Sequence, residues 1–564
     1  MCGIVGTTKR GVIKTMLERV QHRGPDGSIT HEGVIGFDLG FARLSITGKD
    51  QKATIMQQDG DWLLFNGEIF GYPPEFDTDT EYLFSILRKC NIWDSVNRLH
   101  LHGQYAFAFW NNRQNRLVLG RDFFGERPLY YYQDDTDFYF ASETKALLPF
   151  IKDHEVDYTN IGFLETCVMD LANAPNSSPD FQNGSMVRNV KQVPANHVLV
   201  FTRTSAGMGS PRAIEIHSKW QPALGPGSIS DLVYNSIVER SDHGNQAVGA
   251  YLSGGLDSAL ICCIARPKHV FTCVFDTPMG KREYEFAAKV AKRIGAVHHV
   301  VRPQVTREAV AQTVYYTDGP QATLSPVADF ALAKEAAKYV KAVLTGQGAD
   351  ELFCGYFRDL LFYTDMMVRL RYKQYGPLMD HYHGGSILSP NLKWDYEIMS
   401  ASFLHLLARG PIPDSIKQIS QALALSSFSP LQFAIRMEIA FTLPSLVQMN
   451  DRAAAHAGIE SRSPFLDDEL YQAAIHLPDE QRITFNGQRW VTKRALRDLA
   501  RGIVPDEIID CEEKTGLFVP MGELFPVDPS NLRGEFSRSG YADFCQNTWR
   551  VIVESFKPEV SDVF

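Results

Sequence analysis

The chain has 564 residues, 44% of them hydrophobic and 22% charged, a composition that excludes a disordered or fibrous polymer and gives material for roughly two to four domains. Its 66 acidic against 56 basic side chains leave a net charge of −10, which argues against nucleic acid or an anionic membrane as the main partner. No run approaches the roughly 20 apolar residues of a membrane span, and the chain start lacks the apolar core of a secretory signal, so a cytoplasmic location is expected.

From about residue 34 the pattern is one of short apolar or alternating runs between turn residues, at 34–39, 62–65, 105–110, 116–120, 129–132, 138–141 and 197–202. These predict strands. One amphipathic helix interrupts them at 79–90, with apolar residues at 82, 83, 86, 87 and 90 behind Asp79 and Thr80 as caps. Turn formers concentrate at 204–226, which predicts a linker between a first domain at 1–203 and a second at 227–564. Beyond it, strand-length runs at 247–252, 270–275, 297–301 and 342–344 alternate with helical segments, the pattern of a doubly wound parallel sheet. Helical periodicity dominates after Phe357, with helices expected at 431–443 and 487–500.

Nine cysteines without a CxxC pair suggest neither a zinc site nor a disulfide framework. Cys2 alone invites a chemical reading. Removal of Met1 would give it a free α-amine, and an amine titrating at about 8 can take the thiol proton without a histidine. Thiolate attack on an amide creates an oxyanion, for which the Asn66 side chain and the Gly67 N–H are suitable donors; Asn-Gly is equally a common hairpin turn. For glutamine as substrate, Arg43 can pair with the α-carboxylate, and Asp79, helped by Glu68, with the α-ammonium. Each of these residues taken singly reads as an ordinary surface charge.

Together, Met1-Cys2-Gly3-Ile4-Val5-Gly6, His22-Arg23-Gly24-Pro25-Asp26-Gly27, Ala42-Arg43-Leu44-Ser45-Ile46, Phe65-Asn66-Gly67-Glu68-Ile69 and the run from Gly120 to Leu129 resemble the glutaminase domain of class II, N-terminal-nucleophile amidotransferases. The resemblance implies an αββα sandwich with Cys2 as nucleophile. It also implies Asn66 and Gly67 as oxyanion hole and Arg43, Glu68 and Asp79 as glutamine ligands.

Ser253-Gly254-Gly255-Leu256-Asp257-Ser258 joins a predicted strand to a predicted helix, where a Gly-rich turn aims backbone N–H groups at phosphate. Ser253 and Ser258 add hydroxyls, and Asp257 can hold Mg2+. A kinase-type GxxxxGK[ST] loop is lacking. Thr345-Gly346-Gln347-Gly348-Ala349-Asp350-Glu351 follows another predicted strand, so the two loops can meet at the carboxyl ends of a parallel sheet, with Asp257 and Asp350 as paired metal ligands.

With Asn450-Asp451-Arg452, Glu460 to Asp467 and Glu513 to Phe518, these loops resemble the synthetase domain of glutamine-hydrolysing asparagine synthetases, which belong to the ATP pyrophosphatase group. The resemblance implies ATP and Mg2+, with Ser253, Gly254, Gly255, Asp257 and Ser258 at the pyrophosphate and Leu252, Cys273, Thr345 and Gly346 around the adenosine. Lys514 matches a lysine that stabilises charge on the phosphates or the acyl-adenylate. Glutamine and a carboxylate acceptor are the implied partners, and a homodimer is one assembly open to the chain.

One position departs from the family pattern. Asparagine-forming members commonly carry Glu where this chain has Gln347, and an uncharged amide is a poor base; Gln347 and Glu351 become acceptor-orienting candidates. The expected reaction is aspartate to asparagine through a β-aspartyl-AMP, with ammonia from glutamine. The alternatives are the same chemistry on another carboxylate, an amide-forming cyclase with a vestigial glutaminase, and a noncatalytic scaffold.

Overall fold

The computed structural model describes residues 1–46, 55–89, 101–151, 156, 185–205, 207–215, 228–242, 246–319, 325–374, 396–407, 414–427, 429–511 and 546–553. The first half carries β1 (Gly3–Thr7), β2 (Gly27–Val34), β3 (Phe37–Arg43), β4 (Met56–Gln58), β5 (Asp61–Ile69), β6 (Gly103–Asn111), β7 (Arg116–Arg121), β8 (Tyr130–Gln133), β9 (Phe138–Ala141), β10 (Lys191–Gln192), β11 (His197–Thr204), β12 (Gly207–Met208) and β13 (Arg212–Glu215). They form two sheets, ordered β10-β8-β9-β1-β3-β2 and β12-β11-β7-β6-β5-β4, with β13 beside β11.

Period-two alternation stacks the layers. On β6, Ala106, Ala108 and Trp110 face Phe37, Leu39 and Phe41 of the other sheet, whereas Tyr105, Phe107 and Phe109 face Leu83, Phe84 and Leu87 of helix Asp79–Lys89. The outer face of the first sheet, with Val5, Tyr139 and Ala141, packs on helix Ile13–Glu18 and on Ala454 and Ala455 of the second half. The result is an αββα sandwich with the second half docked against one side.

Two sequence expectations shift here. The strand expected at 34–39 is the end of β2, a turn and the start of β3, because Ile35 and Gly36 adopt left-handed φ values of 45° and 82°. The segment 204–226, expected as a linker, contributes β12 and β13, both paired with β11.

The second half carries a parallel sheet of β14 (Val248–Tyr251), β15 (His269–Cys273), β16 (Val297–Val301), β17 (Ala342–Leu344) and β18 (Glu460–Arg462), in the order β16-β15-β14-β17-β18. Helices cover both faces: Leu256–Ala265 and Pro278–Ile294 pack around Ala250, Val270 and Leu344, while Arg307–Tyr316, Ser325–Ala336 and Leu443–His456 pack around Phe271, Cys273 and Val343. Thr277 caps helix Pro278–Ile294, accepting from the Gly280 N–H at 3.0 Å, and the helix ends at Gly295 with φ 71°. The chain runs outward from β14 to β16 and then returns to the other side of β14. The β14–β17 boundary is therefore the topological switch point, where such sheets bind ligands beyond the strand ends.

The helical expectations are also corrected in part. The helix expected at 431–443 continues to His456 through a π-helical turn, Glu438–Thr442, followed by Pro444, which has no N–H for a regular α-helical bond. The helix expected at 487–500 is a hairpin, Thr484–Phe485 with Trp490–Val491, then a helix of only Arg494–Ala500. β-forming Trp490 and Val491 find strand partners, and Asn486 Oδ1 closes the turn by accepting from the N–H groups of Gln488 and Arg489. Among the described residues no helix is long and apolar enough to cross a membrane.

Candidate active site

Cys2 lies at the head of β1, in the middle of the first sheet, and packs against the core between the sheets. Its thiol faces the Leu44 carbonyl oxygen at 3.8 Å. Burial pushes that thiol up, while the nearby chain-terminal amine acts in the opposite sense. The amine of Met1 is itself pushed down to about 6 by burial.

A cavity beside Cys2 is lined by Arg43, Gly67, Glu68 and Asp79, and also by Glu460 from β18 of the second half. Asn66 and Gly67 are not a hairpin turn: β5 runs through them, pairing Asn66 with Ala106 and Gly67 with Tyr105. Gly67 has φ 141°, and a Cβ there would lie 2.6 Å from the Tyr105 Cα, so only glycine fits. Asn66 follows Trp62 and Leu64 in strand parity and so faces the same inter-sheet core that Cys2 borders. It is fully buried, and neither its Nδ2 nor its Oδ1 has a hydrogen-bond partner within the protein, which leaves both groups open to a ligand. Asp79 opens helix Asp79–Lys89, 2% exposed, and is held by the N–H groups of Ile69 at 3.1 Å and Thr80 at 2.7 Å.

The second cluster sits at the switch point. After β14, the Ser253 and Ser258 hydroxyls lie 3.0 Å apart, and Ser253 Oγ accepts from the Gly255 N–H at 3.2 Å, which shapes the turn before helix Leu256–Ala265. Gly254 has no room for a side chain, since a Cβ would meet the Glu283 Cα at 2.8 Å. Leu252 and Cys273, at the ends of β14 and β15, are buried. The loop after β17 comes against this turn: a Cβ on Gly346 would lie 3.3 Å from the Asp257 Cβ. Thr345 is held by Ser463 at 3.2 Å and by the Asn450 amide at 3.4 Å.

Asp257 and Asp350 converge on one cation, the Lys493 ammonium, at 2.6 and 2.7 Å. Two carboxylates from separate phosphate loops meeting at one positive point fit the hard oxygen donors that Mg2+ prefers. Lys493 was missed in the sequence because it stands far along the chain within a segment that looks helical; its buried position and left-handed φ of 52° are tertiary facts. Lys514 lies outside the described residues. Gln347 is half-buried beside Gly348, and Glu351 is buried, hydrogen-bonded by the Tyr356 hydroxyl and pushed up to about 7 by burial and by Asp350. Arg358 lies 3.9 Å over the Tyr356 ring and pairs with Glu438, both contacts at 2.6 Å.

Buried charges fix one half on the other. Arg23 binds Glu143 and Asp451, each at 2.8 Å, and its Nε donates to the Cys2 carbonyl at 3.0 Å. Arg127 donates to the Ser461 carbonyl at 2.9 Å. On another side His102 meets Asp468, Glu239 and Asp467 at 2.6, 3.1 and 3.2 Å; burial opposes its charge, yet these carboxylates push the imidazole up to about 12.

A cavity beside Cys2 on an αββα sandwich, joined to two loops that converge at the switch point of a doubly wound sheet, defines a protein with two candidate sites, one in each half. Comparison agrees: the glutamine amidotransferase domain family matches residues 1–208, and the asparagine synthase family matches residues 228–534. The chain belongs to the asparagine synthase family and is a glutamine-hydrolysing, ATP-dependent ligase. It is 28% identical to asparagine synthetase [glutamine-hydrolyzing] 1 of Bacillus subtilis, over 92% of this chain and 87% of that protein. It is also 28% identical to a putative asparagine synthetase of Mycobacterium tuberculosis, over 92% and 85% of the two chains. Amidase chry2 of Gibberella zeae matches at 24% identity, over 91% and 86%. Among solved structures, a glutamine phosphoribosylpyrophosphate amidotransferase from B. subtilis matches at 12% identity over 61% of this chain and 82% of that one, with a TM-score of 0.26.

Proposed function

We propose that the chain makes an amide from a carboxylate, ATP and glutamine, releasing AMP, pyrophosphate and glutamate, and that aspartate is the acceptor and asparagine the product. In the first half the Cys2 thiolate attacks the glutamine carboxamide, with Asn66 and Gly67 donating to the oxyanion and Arg43, Glu68 and Asp79 holding the amino-acid end. Water then cleaves the thioester. In the second half the backbone and hydroxyls of residues 252–258 and Thr345 bind ATP, and the acceptor carboxylate attacks the α-phosphorus. The resulting β-aspartyl-AMP is an acyl electrophile, which a free carboxylate is not, and ammonia displaces AMP. Mg2+ held by Asp257 and Asp350 would neutralise phosphate charge during this step.

The observation that carries this reading is the meeting of Asp257 and Asp350 on one cation at 2.6 and 2.7 Å, at the switch point of a sheet whose partner half presents Cys2 in a cavity with Arg43, Glu68 and Asp79. The named asparagine synthetases among the relatives favour aspartate. Gln347 favours a second reading, the same chemistry on a different carboxylate, because an amide cannot take the proton that a glutamate could; a relative called an amidase is compatible with that breadth. The test is pyrophosphate release with ATP, Mg2+ and glutamine, with and without aspartate, and the product identified by mass spectrometry. Aspartate-dependent release with asparagine formed supports the first reading. Glutamate release without aspartate-dependent pyrophosphate moves the acceptor to another carboxylate.

A further inference from the structure

The turn between β7 and β8 belongs to the first half, yet it is seated in the second: Phe124 shares one core with Leu344, Ala349 and Leu466. The turn is built around Asp122, whose carboxylate accepts from the N–H groups of Phe124 at 3.1 Å, Glu126 at 2.8 Å and Arg127 at 3.0 Å. From this frame two side chains reach the segment after β18. Arg127 donates to the Ser461 carbonyl at 2.9 Å, and the Glu126 carboxyl is hydrogen-bonded to the Ser463 hydroxyl.

Glu126 is 4% exposed, and burying a carboxyl costs free energy unless hydrogen bonding offsets it. The cations acting on it are committed elsewhere, Arg127 to Ser461 and Arg240 to Ser236 at 2.6 Å and Asp467 at 3.1 Å. Burial and the neighbouring Asp122 push the Glu126 carboxyl up to about 8, so near neutrality it is chiefly the uncharged acid. Ser463, fully buried, in turn holds Thr345: the two hydroxyls lie 3.2 Å apart, the Asn450 amide reaches the same Thr345 oxygen at 3.4 Å, and the Thr345 N–H donates to the Arg462 carbonyl at 2.9 Å. Side-chain contacts therefore run from Glu126 through Ser463 to the residue that opens the loop carrying Gln347 and Asp350.

We propose that Glu126 is a positioning residue of the nucleotide site, supplied to the ligase half by the glutaminase half: through Ser463 it holds the Thr345 side chain in the orientation that ATP meets. The assignment rests on the reading of Thr345 as a border of the ATP site. By this route the first half contributes to ATP binding without involving Cys2, glutamine or ammonia.

The experiment titrates Mg·ATP into the full chain by calorimetry, with neither acceptor nor glutamine present, for wild type, Glu126→Leu, Glu126→Gln, Ser463→Ala and the double variant Glu126→Leu with Ser463→Ala. Glutamate release is measured on the same preparations. Glu126→Leu and Ser463→Ala are each expected to weaken Mg·ATP binding by about tenfold, the scale of one lost hydrogen bond. The double variant should be no weaker than either, because both changes remove the same link. Glu126→Gln, close in shape to the neutral acid and still able to bond with Ser463, is expected to bind within about twofold of wild type. Glutamate release should stay near wild type throughout. If Glu126→Leu does not fold, Ser463→Ala and Glu126→Gln decide. Wild-type binding in Glu126→Leu or Ser463→Ala, losses that add in the double variant, or a tenfold loss in Glu126→Gln overturns the assignment and leaves the nucleotide reading intact. So does weaker ATP binding matched by an equal loss of glutamate release, the mark of general disruption. A wild-type chain that binds no Mg·ATP overturns the nucleotide reading and this assignment with it.

Discussion

Arg23 and Asp451, 428 positions apart, form a two-pronged ion pair in the protein interior, Nη1 to Oδ2 at 2.8 Å and Nη2 to Oδ1 at 3.0 Å. Neither side chain is exposed. Because the same guanidinium donates to the Cys2 carbonyl at 3.0 Å, the backbone of Cys2 hangs from a carboxylate of the opposite half. Asp451→Ala would leave Arg23, with Arg127 also beside it, short of a counter-charge. The expected loss is about 3–5 kcal/mol, the cost of orphaning one partner of a buried pair, accompanied by loss of glutamine hydrolysis. Denaturant unfolding checks it, and a loss below about 1 kcal/mol, typical of an exposed pair, would contradict the picture.

Asp257→Asn and Asp350→Asn separate the two sites. Each removes one of the carboxylates that meet at Lys493. Pyrophosphate release is expected to fall by about 100-fold or more, with glutamate release retained, when both products are assayed on the same preparation. Equal loss of both activities would mean that these aspartates support the whole structure rather than the phosphate site.

Gly355 backs that site without touching substrate. A methyl group there would overlap Asp350 Oδ1 and the Lys493 Cε, so Gly355→Ala must displace one of them. Pyrophosphate release is expected to drop by roughly 10–100-fold, the scale of a misplaced charged group. Glutamate release should stay near wild type, and unchanged synthesis would show that the pair tolerates the shift.

Asp329, on helix Ser325–Ala336, gives a pH prediction. Burial alone pushes its carboxyl up to about 7. The folded state therefore holds a proton that the unfolded chain has already lost above pH ~4, and stability from this group falls as pH rises from about 4 to about 7. Asp329→Asn removes the titration. It should be more stable than wild type at pH 8 by about 1–2 kcal/mol and gain little at pH 4, as thermal unfolding at the two values would register.

What could be read from the sequence followed the range of the interaction that encodes it. Cys2, Arg43 and Asn66-Gly67 stand in local motifs whose chemistry is visible residue by residue, and the loops holding Asp257 and Asp350 each follow an apolar strand of the right length. The alternation on β6 is likewise local. Ile35 concealed a turn because an apolar β-branched residue seldom takes φ 45°, and Trp490 concealed a hairpin because its helical spacing gave way to pairing with Phe485. Lys493 was illegible as a neighbour of the site for a different reason. Its position depends on two carboxylates supplied by distant segments, and nothing beside it in the chain announces those partners.

The most direct test of a glutamine site feeding an amide-forming site is pyrophosphate release by wild type and Cys2→Ala with aspartate, ATP and Mg2+, using either glutamine or ammonium chloride as nitrogen source. Wild type should use both sources, and Cys2→Ala should use ammonium alone, at a rate near wild type. Glutamine-dependent synthesis surviving in Cys2→Ala would contradict the account.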